Sequence, residues 1–347
     1  MEERSQLKEQ TLSFEMAKAG IDMFFNENKS RHIRFYGPGE PTQEIGIVKQ
    51  IVEYAKLKTG DELTVELQTN GVFSESARKW LLDNVNIIWV SFDGEPYIHD
   101  ALRCFPDGSP TSPIIEKNLK WLRDNKTNQK LMIGARVTIT NENIECQIQM
   151  IDYFRSLGIE HIWSDPVFPS VGIIPVCDDA EKTSDFSFDM DKYVNNYIEA
   201  KKYADEIGVF YGSFLTCNFD GISNRHCRAC TPTPHFTADG YISACDLAAF
   251  GENAHHMDCF VYGKWNKDTK SYDLWEDRIE MLQARSTDAM PHCRSCDARD
   301  YCGGYCLGEV MNETGSLFGQ KAETCKAIRK LLSEIGVSNE PYPYFHP

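Results

Sequence analysis

Between residues 13 and 168 the chain alternates two hydrophobic rhythms, and turn residues separate each change of period. Apolar positions at three- and four-residue spacing predict helices over 13–27, 43–57, 74–83, 113–124 and 143–157. Short β-branched and aromatic runs predict strands over 32–36, 62–68, 86–92, 131–139 and 161–168. Strands that alternate with helices predict an α/β fold, with repeated βα units around a parallel sheet. Residues 169–188 break the rhythm with Pro169, Gly172, Pro175 and an acidic stretch, after which a helix over 189–206 and a strand over 208–215 follow. Beyond Cys217 the regular periods fade into cysteines, glycines and aromatics, until a last helix over 322–335. The first element is a helix preceded only by polar residues, which leaves the edge of the neighbouring strand uncovered.

Composition narrows the classes of function. With 347 residues and 41% hydrophobic content, the chain can bury a large core and a smaller second unit. The formal charge of −16 leaves no broad basic surface for phosphates, so neither nucleic acid nor an anionic membrane is an expected partner. No apolar run is long enough to span a bilayer, and the opening MEERSQLKEQ is too polar for a signal peptide, so the expected location is cytoplasmic. Thirteen cysteines in a reducing compartment point to thiolate ligands ahead of disulfides.

Their spacing carries the chemistry. Cys230 is followed by nine residues, Gly240, four residues and Cys245; CRSCDARDYCGGYC then places Cys293, Cys296, Cys302 and Cys306, and Cys325 stands downstream. A two-residue gap lets two sulfurs converge from one turn, and Gly303 and Gly304 let backbone pack close to sulfide. A zinc knuckle over 293–306 is the plainer alternative, but it leaves Cys230, Cys245 and Cys325 without a role.

This seven-cysteine segment resembles the SPASM domain, the C-terminal extension of radical S-adenosylmethionine (SAM) enzymes that act on peptides and proteins. The resemblance implies a partial (β/α)6 TIM-like barrel, lacking its first strand, over 1–168; a linker with a helix and strand over 169–216; a SPASM domain over 217–335; and a tail over 336–347. It implies two auxiliary [4Fe–4S] clusters. Cys230, Cys245 and Cys306 would hold one, with Cys227 as fourth ligand and Cys217 as the alternative; Cys293, Cys296, Cys302 and Cys325 would hold the other. Cys104, Cys146, Cys177 and Cys259 match nothing in the pattern and are expected to be structural.

The front of the chain resembles the same family. The strand HIRFY runs into Gly37-Pro38-Gly39-Glu40-Pro41, a glycine-rich turn at the end of a parallel strand, where α/β folds place ligands. By itself this could be no more than a tight strand-to-helix turn. Thr69-Asn70-Gly71, Ser91-Phe92-Asp93-Gly94 and Arg136 would share the same rim. In the family, GGEP receives the SAM amino group, and here Pro38 stands in place of the more usual glycine. The family's S-x-D-G serine and a following arginine, which reach the SAM ribose and carboxylate, correspond to Ser91 and Arg103. His99 and Asp100 are expected to order the loop. Asp246, directly after Cys245, corresponds to an aspartate thought to take a substrate proton in the sulfatase-maturing branch; capping of the next turn is the structural alternative.

The resemblance also defines a deficit. Radical chemistry needs a third, SAM-binding [4Fe–4S] cluster held by C-x3-C-x2-C on the loop after the first strand, and no such triplet occurs. Strand and triplet are missing together, so both are expected upstream of Met1; as written the chain is not competent for radical chemistry. With the triplet supplied, the resemblance implies hydrogen abstraction from a bound peptide or protein and an electron donor such as flavodoxin or ferredoxin. Maturation of a ribosomal peptide is the favoured expectation. Formylglycine formation in a sulfatase, and a non-catalytic iron–sulfur or zinc protein that binds peptides, are the alternatives.

Overall fold

The computed structural model describes residues 10–126, 131–168, 188–248, 250–251 and 255–342. Cys177 and the acidic stretch that follows it lie outside these residues. The βα rhythm folds into a six-stranded parallel sheet in the order β1 (His32–Phe35), β2 (Thr64–Thr69), β3 (Ile87–Ser91), β4 (Met132–Ile139), β5 (His161–Pro166) and β6 (Phe210–Gly212). Sequential strand order with helical crossovers is that of an opened barrel. The helices α1 (Phe14–Glu27), α2 (Ile45–Thr59), α3 (Glu75–Asn84), α5 (Ser112–Asn125), α6 (Gln147–Ser156) and α7 (Met190–Glu206) sit where the periodicity places them. The short α4 (Pro96–Leu102) was not expected; it is only two turns long, too short to show a helical period.

Strand pairing explains which residues meet. One face carries Ile33, Val65, Leu67, Ile88, Val90, Ala135, Val137 and Ile162, which pack with the helices into the main core. The opposite face carries matched rows: Gln68 beside Trp89, Gly134 and His161, then Ser91 beside Arg136 and Trp163, then Thr138 beside Asp165. Trp89 and Trp163 are buried and floor this inner face, and the Trp89 ring leaves no room for a Cβ at position 134. Apolar residues therefore hold the helices, while the inner face turns polar toward the strand ends.

Beyond Cys217 the sequence predicted little regular structure, and here the fold corrects it. A four-stranded antiparallel sheet runs in the order β10 (Ser271–Leu274), β9 (Val261–Asn266), β8 (Tyr241–Ser243) and β7 (His235–Phe236). The helices α8 (Glu276–Gln283), α9 (Arg299–Cys302) and α10 (Leu307–Thr314) surround it, ahead of α11 (Ala322–Ile335). Strands of two to six residues carry too few alternations for a period to stand out among glycines and cysteines. A separate core of Ile242, Met257, Phe260, Tyr262, Leu282 and Leu307 stabilises this region. Helix α1 joins the two halves: Tyr272 donates its hydroxyl to the Met16 carbonyl (3.4 Å), and a Cβ on Gly20 would lie 2.6 Å from the Phe236 ring.

Candidate functional site

The strand ends enclose a cavity of about 160 Å³ lined by Tyr36, Gln68, Ser91, Arg103, Arg136, Thr138, Asp165, Phe168 and Phe214, among others. Arg136 stands over the floor, its guanidinium 5.9 Å from the Trp89 ring centre, 5.6 Å from Trp163 and 5.7 Å from Phe214, with Asp165 4.0 Å away. Aromatic faces hold a guanidinium without saturating its donors, which keeps them free for an anion. Asp165 accepts from Trp163 Nε1 (2.7 Å), Phe214 N (2.7 Å) and Ser213 Oγ (3.2 Å). Burial nevertheless outweighs these bonds and pushes its carboxyl up to about 6.

Gly37 and Gly39 lie beside this mouth, and a Cβ on either would meet nothing within 4 Å, so packing does not demand glycine there. Gly37, at φ +144°, has a backbone that L side chains rarely adopt. The turn therefore presents bare backbone. Glu40 faces the other way. Its Oε1 accepts from Thr42 N (3.0 Å), Thr42 Oγ1 (2.6 Å) and Thr69 Oγ1 (2.8 Å), and its Oε2 from Asn70 N (2.6 Å). Glu40 thus ties the turn after β1 to the end of β2, with Pro41 next to it, and brings Thr69 and Asn70 to the rim.

Asp93 is also turned inward, 1% exposed, and accepts from Arg103 Nε (2.5 Å), Arg103 Nη2 (3.4 Å) and Thr138 N (2.8 Å). Arg103 is thereby aimed along the cavity wall, with a further bond to Thr138 Oγ1 (3.0 Å). His99 receives the Asp93 amide at Nδ1 (3.1 Å) and lies 3.0 Å from Thr111 Oγ1 through Nε2. Because the Thr111 hydroxyl donates to the Arg103 carbonyl (2.5 Å), His99 must donate through Nε2; burial keeps the ring neutral by pulling its pKa down to about 4. Asp100 receives the amides of Thr111 and Ser112 (2.9 Å each) at the start of α5. Both residues order the loop.

Asp246, at the far end of the sequence from the barrel's first turn, meets it in space. Its Oδ1 lies 2.6 Å from His235 Nδ1, and its carboxylate bonds the Tyr36 hydroxyl. Burial would raise its pKa, but the His235 contacts, Arg34 and Tyr36 outweigh it and hold Asp246 below the ordinary value. Burial and the Asp246 charge in turn push Tyr36 up to about 12. Tyr36, Asp165, Gln68 and Phe214 are site residues that the sequence reading missed. A signal existed: Tyr36 directly precedes the glycine turn, and Asp165 is a carboxylate inside a predicted strand.

Among the described residues no cysteine is in a disulfide, and those of the seven-cysteine pattern gather, with Cys227, in two neighbourhoods. Cys227 and Cys230 share a hydrogen bond, and the charge of Cys306 is felt at both Cys227 and Cys245. Cys293, Cys296 and Cys325 act on Cys302, which burial pushes up to about 12. Cys217 is buried between them, 3.6 Å from His226 Nε2, and feels both Cys302 and Cys306. Among the described residues no three His, Cys, Asp or Glu side chains close on a single metal ion. The donor set nonetheless suits a thiolate-ligated cluster. Backbone amides of Ala229, Leu247, Gly304, Gly308 and Glu309 bond the sulfurs of Cys227, Cys245, Cys302 and Cys306, which stabilises negative charge on them. A Cβ on Gly308 would lie 3.1 Å from Cys245 Sγ.

Two solved structures share this arrangement of elements. The anaerobic sulfatase maturase anSMEcpe, crystallised with bound AdoMet, superposes with a TM-score of 0.72 at 15% identity, over 95% of this chain and 90% of its own. Streptococcus suis SuiB, bound to its precursor peptide SuiA, does so with a TM-score of 0.57 at 15% identity, over 85% of this chain and 64% of its own. The fold is that of radical SAM SPASM enzymes. No protein-family model matches the sequence. The cavity at the strand ends is the mouth of this opened barrel, and Asp246, in the short 3-10 turn that follows β8, lies close to Tyr36 on its wall. The expected α/β partial barrel with a cysteine-rich C-terminus is thus the fold observed. No helix among the described residues is long and apolar enough to cross a membrane.

Proposed function

We propose that this chain carries the SAM-binding barrel and the two-cluster domain of a radical SAM maturase that modifies a peptide or protein. The observation that carries the reading is the convergence on one cavity of Ser91, Arg136 and Asp165 from three neighbouring strands and Arg103 from the end of α4, with Asp246 brought to its edge through Tyr36. The residues suit a zwitterionic sulfonium: arginines for the carboxylate, Ser91 for a hydroxyl, and bare backbone at Gly37 and Gly39 for the ammonium group. The enclosed volume of about 160 Å³ takes part of such a ligand, and the remainder would extend along the open rim of Gly37 to Pro41 and Thr69 to Asn70. Similarity to anSMEcpe with bound AdoMet, and to SuiB with its precursor peptide, supports both SAM and a peptide substrate.

Cys227, Cys230, Cys245 and Cys306 would hold one auxiliary [4Fe–4S] cluster, and Cys293, Cys296, Cys302 and Cys325 the other, supplying one-electron chemistry. The residues of this chain do not fit the SAM-chelating cluster, because no C-x3-C-x2-C occurs among them. What they can do is orient SAM and receive a proton. Asp246, kept ionised by His235, accepts a proton from the substrate residue at its carboxylate, and Tyr36 fixes the orientation of that carboxylate.

Calorimetric titration of SAM, with anaerobic iron and sulfide analysis, tests the binding half. Saturable SAM binding that Arg103→Ala weakens is expected, together with close to eight irons per chain, about four for each cluster. Zinc-loaded, colourless protein would sink the cluster assignment. Fusion of a segment that carries C-x3-C-x2-C ahead of the chain tests the chemistry through release of 5′-deoxyadenosine in the presence of candidate peptides. Turnover of a sulfatase peptide or of a ribosomal precursor decides between those substrates and needs an electron donor of flavodoxin or ferredoxin type.

A further inference from the structure

Arg285, just past α8, is completely buried, and among the described residues no carboxylate lies within ion-pair distance of it. Its guanidinium donates only to backbone carbonyls: Nε to Leu317 (3.2 Å), Nη1 to Gly303 (2.8 Å) and Nη2 to Gly304 (2.5 Å). Those glycines form the turn between Cys302 and Cys306, one cysteine from each neighbourhood. The turn is built around the arginine. Gly303 and Gly304 have positive φ, and a Cβ on Gly304 would lie 2.4 Å from Arg285 Nη1, while one on Gly303 would strike the backbone of Arg225 and His226 ahead of Cys227. The charge of Arg285 is felt at Cys230 and Cys293, again one from each group.

Carbonyl dipoles satisfy the N–H groups of a guanidinium but do not neutralise its charge, and an uncompensated buried cation is strongly unfavourable. A compensating anion is therefore implied. A [4Fe–4S] core with four thiolates is negatively charged in its usual redox states, and its potential responds to nearby charge. We propose that Arg285 is the shared counter-ion of the two auxiliary clusters, clamped on the Gly303–Gly304 turn so that its charge raises their reduction potentials. This rests on the cluster assignment proposed above and makes Arg285 a positioning residue, not a ligand.

The test compares wild type, Arg285→Lys and Arg285→Gln after anaerobic reconstitution, by iron content and EPR-monitored redox titration. Arg285→Gln is expected to take up iron and to shift at least one cluster to a lower midpoint potential, with Arg285→Lys restoring most of the shift. Thermal unfolding adds a second measurement. Loaded Arg285→Gln should be less stable than loaded wild type, whereas after chelation the order should level or invert, because the unmatched charge is gone. Unchanged potentials in fully loaded Arg285→Gln overturn the proposal. So does loss of iron in both variants, which would assign Arg285 to the hydrogen bonds of its fork alone. Wild type that takes up no iron removes the cluster assignment itself, a failure distinct from either.

Discussion

Asp93→Asn separates a residue that touches ligand from one that aims another. The carboxylate of Asp93 is 1% exposed and accepts three hydrogen bonds, two from Arg103 and one from Thr138 N. Asparagine can keep one acceptor on Thr138 N, but its amide then faces the guanidinium donor to donor. Loss of a hydrogen bond between charged partners costs about 1.5–3 kcal/mol. The Arg103 side chain is 40% exposed and recovers water when released, so a cost of about 2 kcal/mol is expected. If Arg103 grips the carboxylate of SAM, its misalignment should forfeit a bond of similar size, weakening binding by about 10- to 100-fold. Urea unfolding reads the first effect and calorimetric titration of SAM the second. The decisive comparison is the double variant: Asp93→Asn should add little to the SAM affinity already lost in Arg103→Ala, because both act through one guanidinium. Independent, additive losses would refute the reasoning and place Asp93 on the ligand itself.

Three further outcomes follow from the geometry. Asp165 has its carboxyl raised to about 6 by burial, so the folded chain holds its proton more tightly than the unfolded one, and stability should fall as pH rises from about 4 to 6, by at most ~3 kcal/mol; Asp165→Asn should flatten that window in pH-dependent unfolding, and an unchanged slope would count against the assignment. Asp246→Asn in a chain fused to a segment that carries C-x3-C-x2-C should leave SAM affinity within about threefold, a difference of less than ~1 kcal/mol, while abolishing modified peptide by mass spectrometry. Gly20→Val should separate α1 from the Phe236 ring, given the 2.6 Å approach of a Cβ there, and lower stability by about 1–3 kcal/mol; Phe236→Leu should restore part of the loss.

The barrel was legible because its parallel strands are bordered by amphipathic helices, as in 113–124 with Ile115, Leu119 and Leu122 buried. The rim was legible for a similar reason, since strand ends select polar residues such as Ser91 and Arg136. What escaped were interactions across large separations. Tyr36 reads as the last residue of a strand, and only the fold brings Asp246 to it. Glu40 and Asp93, expected to bind the cofactor, bond Asn70 and Arg103 and hold them in place, a role the sequence reading did not foresee. Charge pattern does not announce which carboxylates face inward. The antiparallel sheet after Cys217 stayed hidden because its strands are short.

Helix α1 begins at Phe14 and is in contact with Phe236 and Tyr272, across a separation of 256 residues at the Tyr272–Met16 hydrogen bond. During synthesis this helix emerges more than 200 residues ahead of β7 and β10, which form part of its covering surface. Such distant pairing slows folding, because a long loop must close before any contact rewards it. Until β7 and β10 exist, α1 carries Met16 and Gly20 without their partners. Growth at low temperature with slow induction should therefore raise the soluble yield more than changes confined to the barrel.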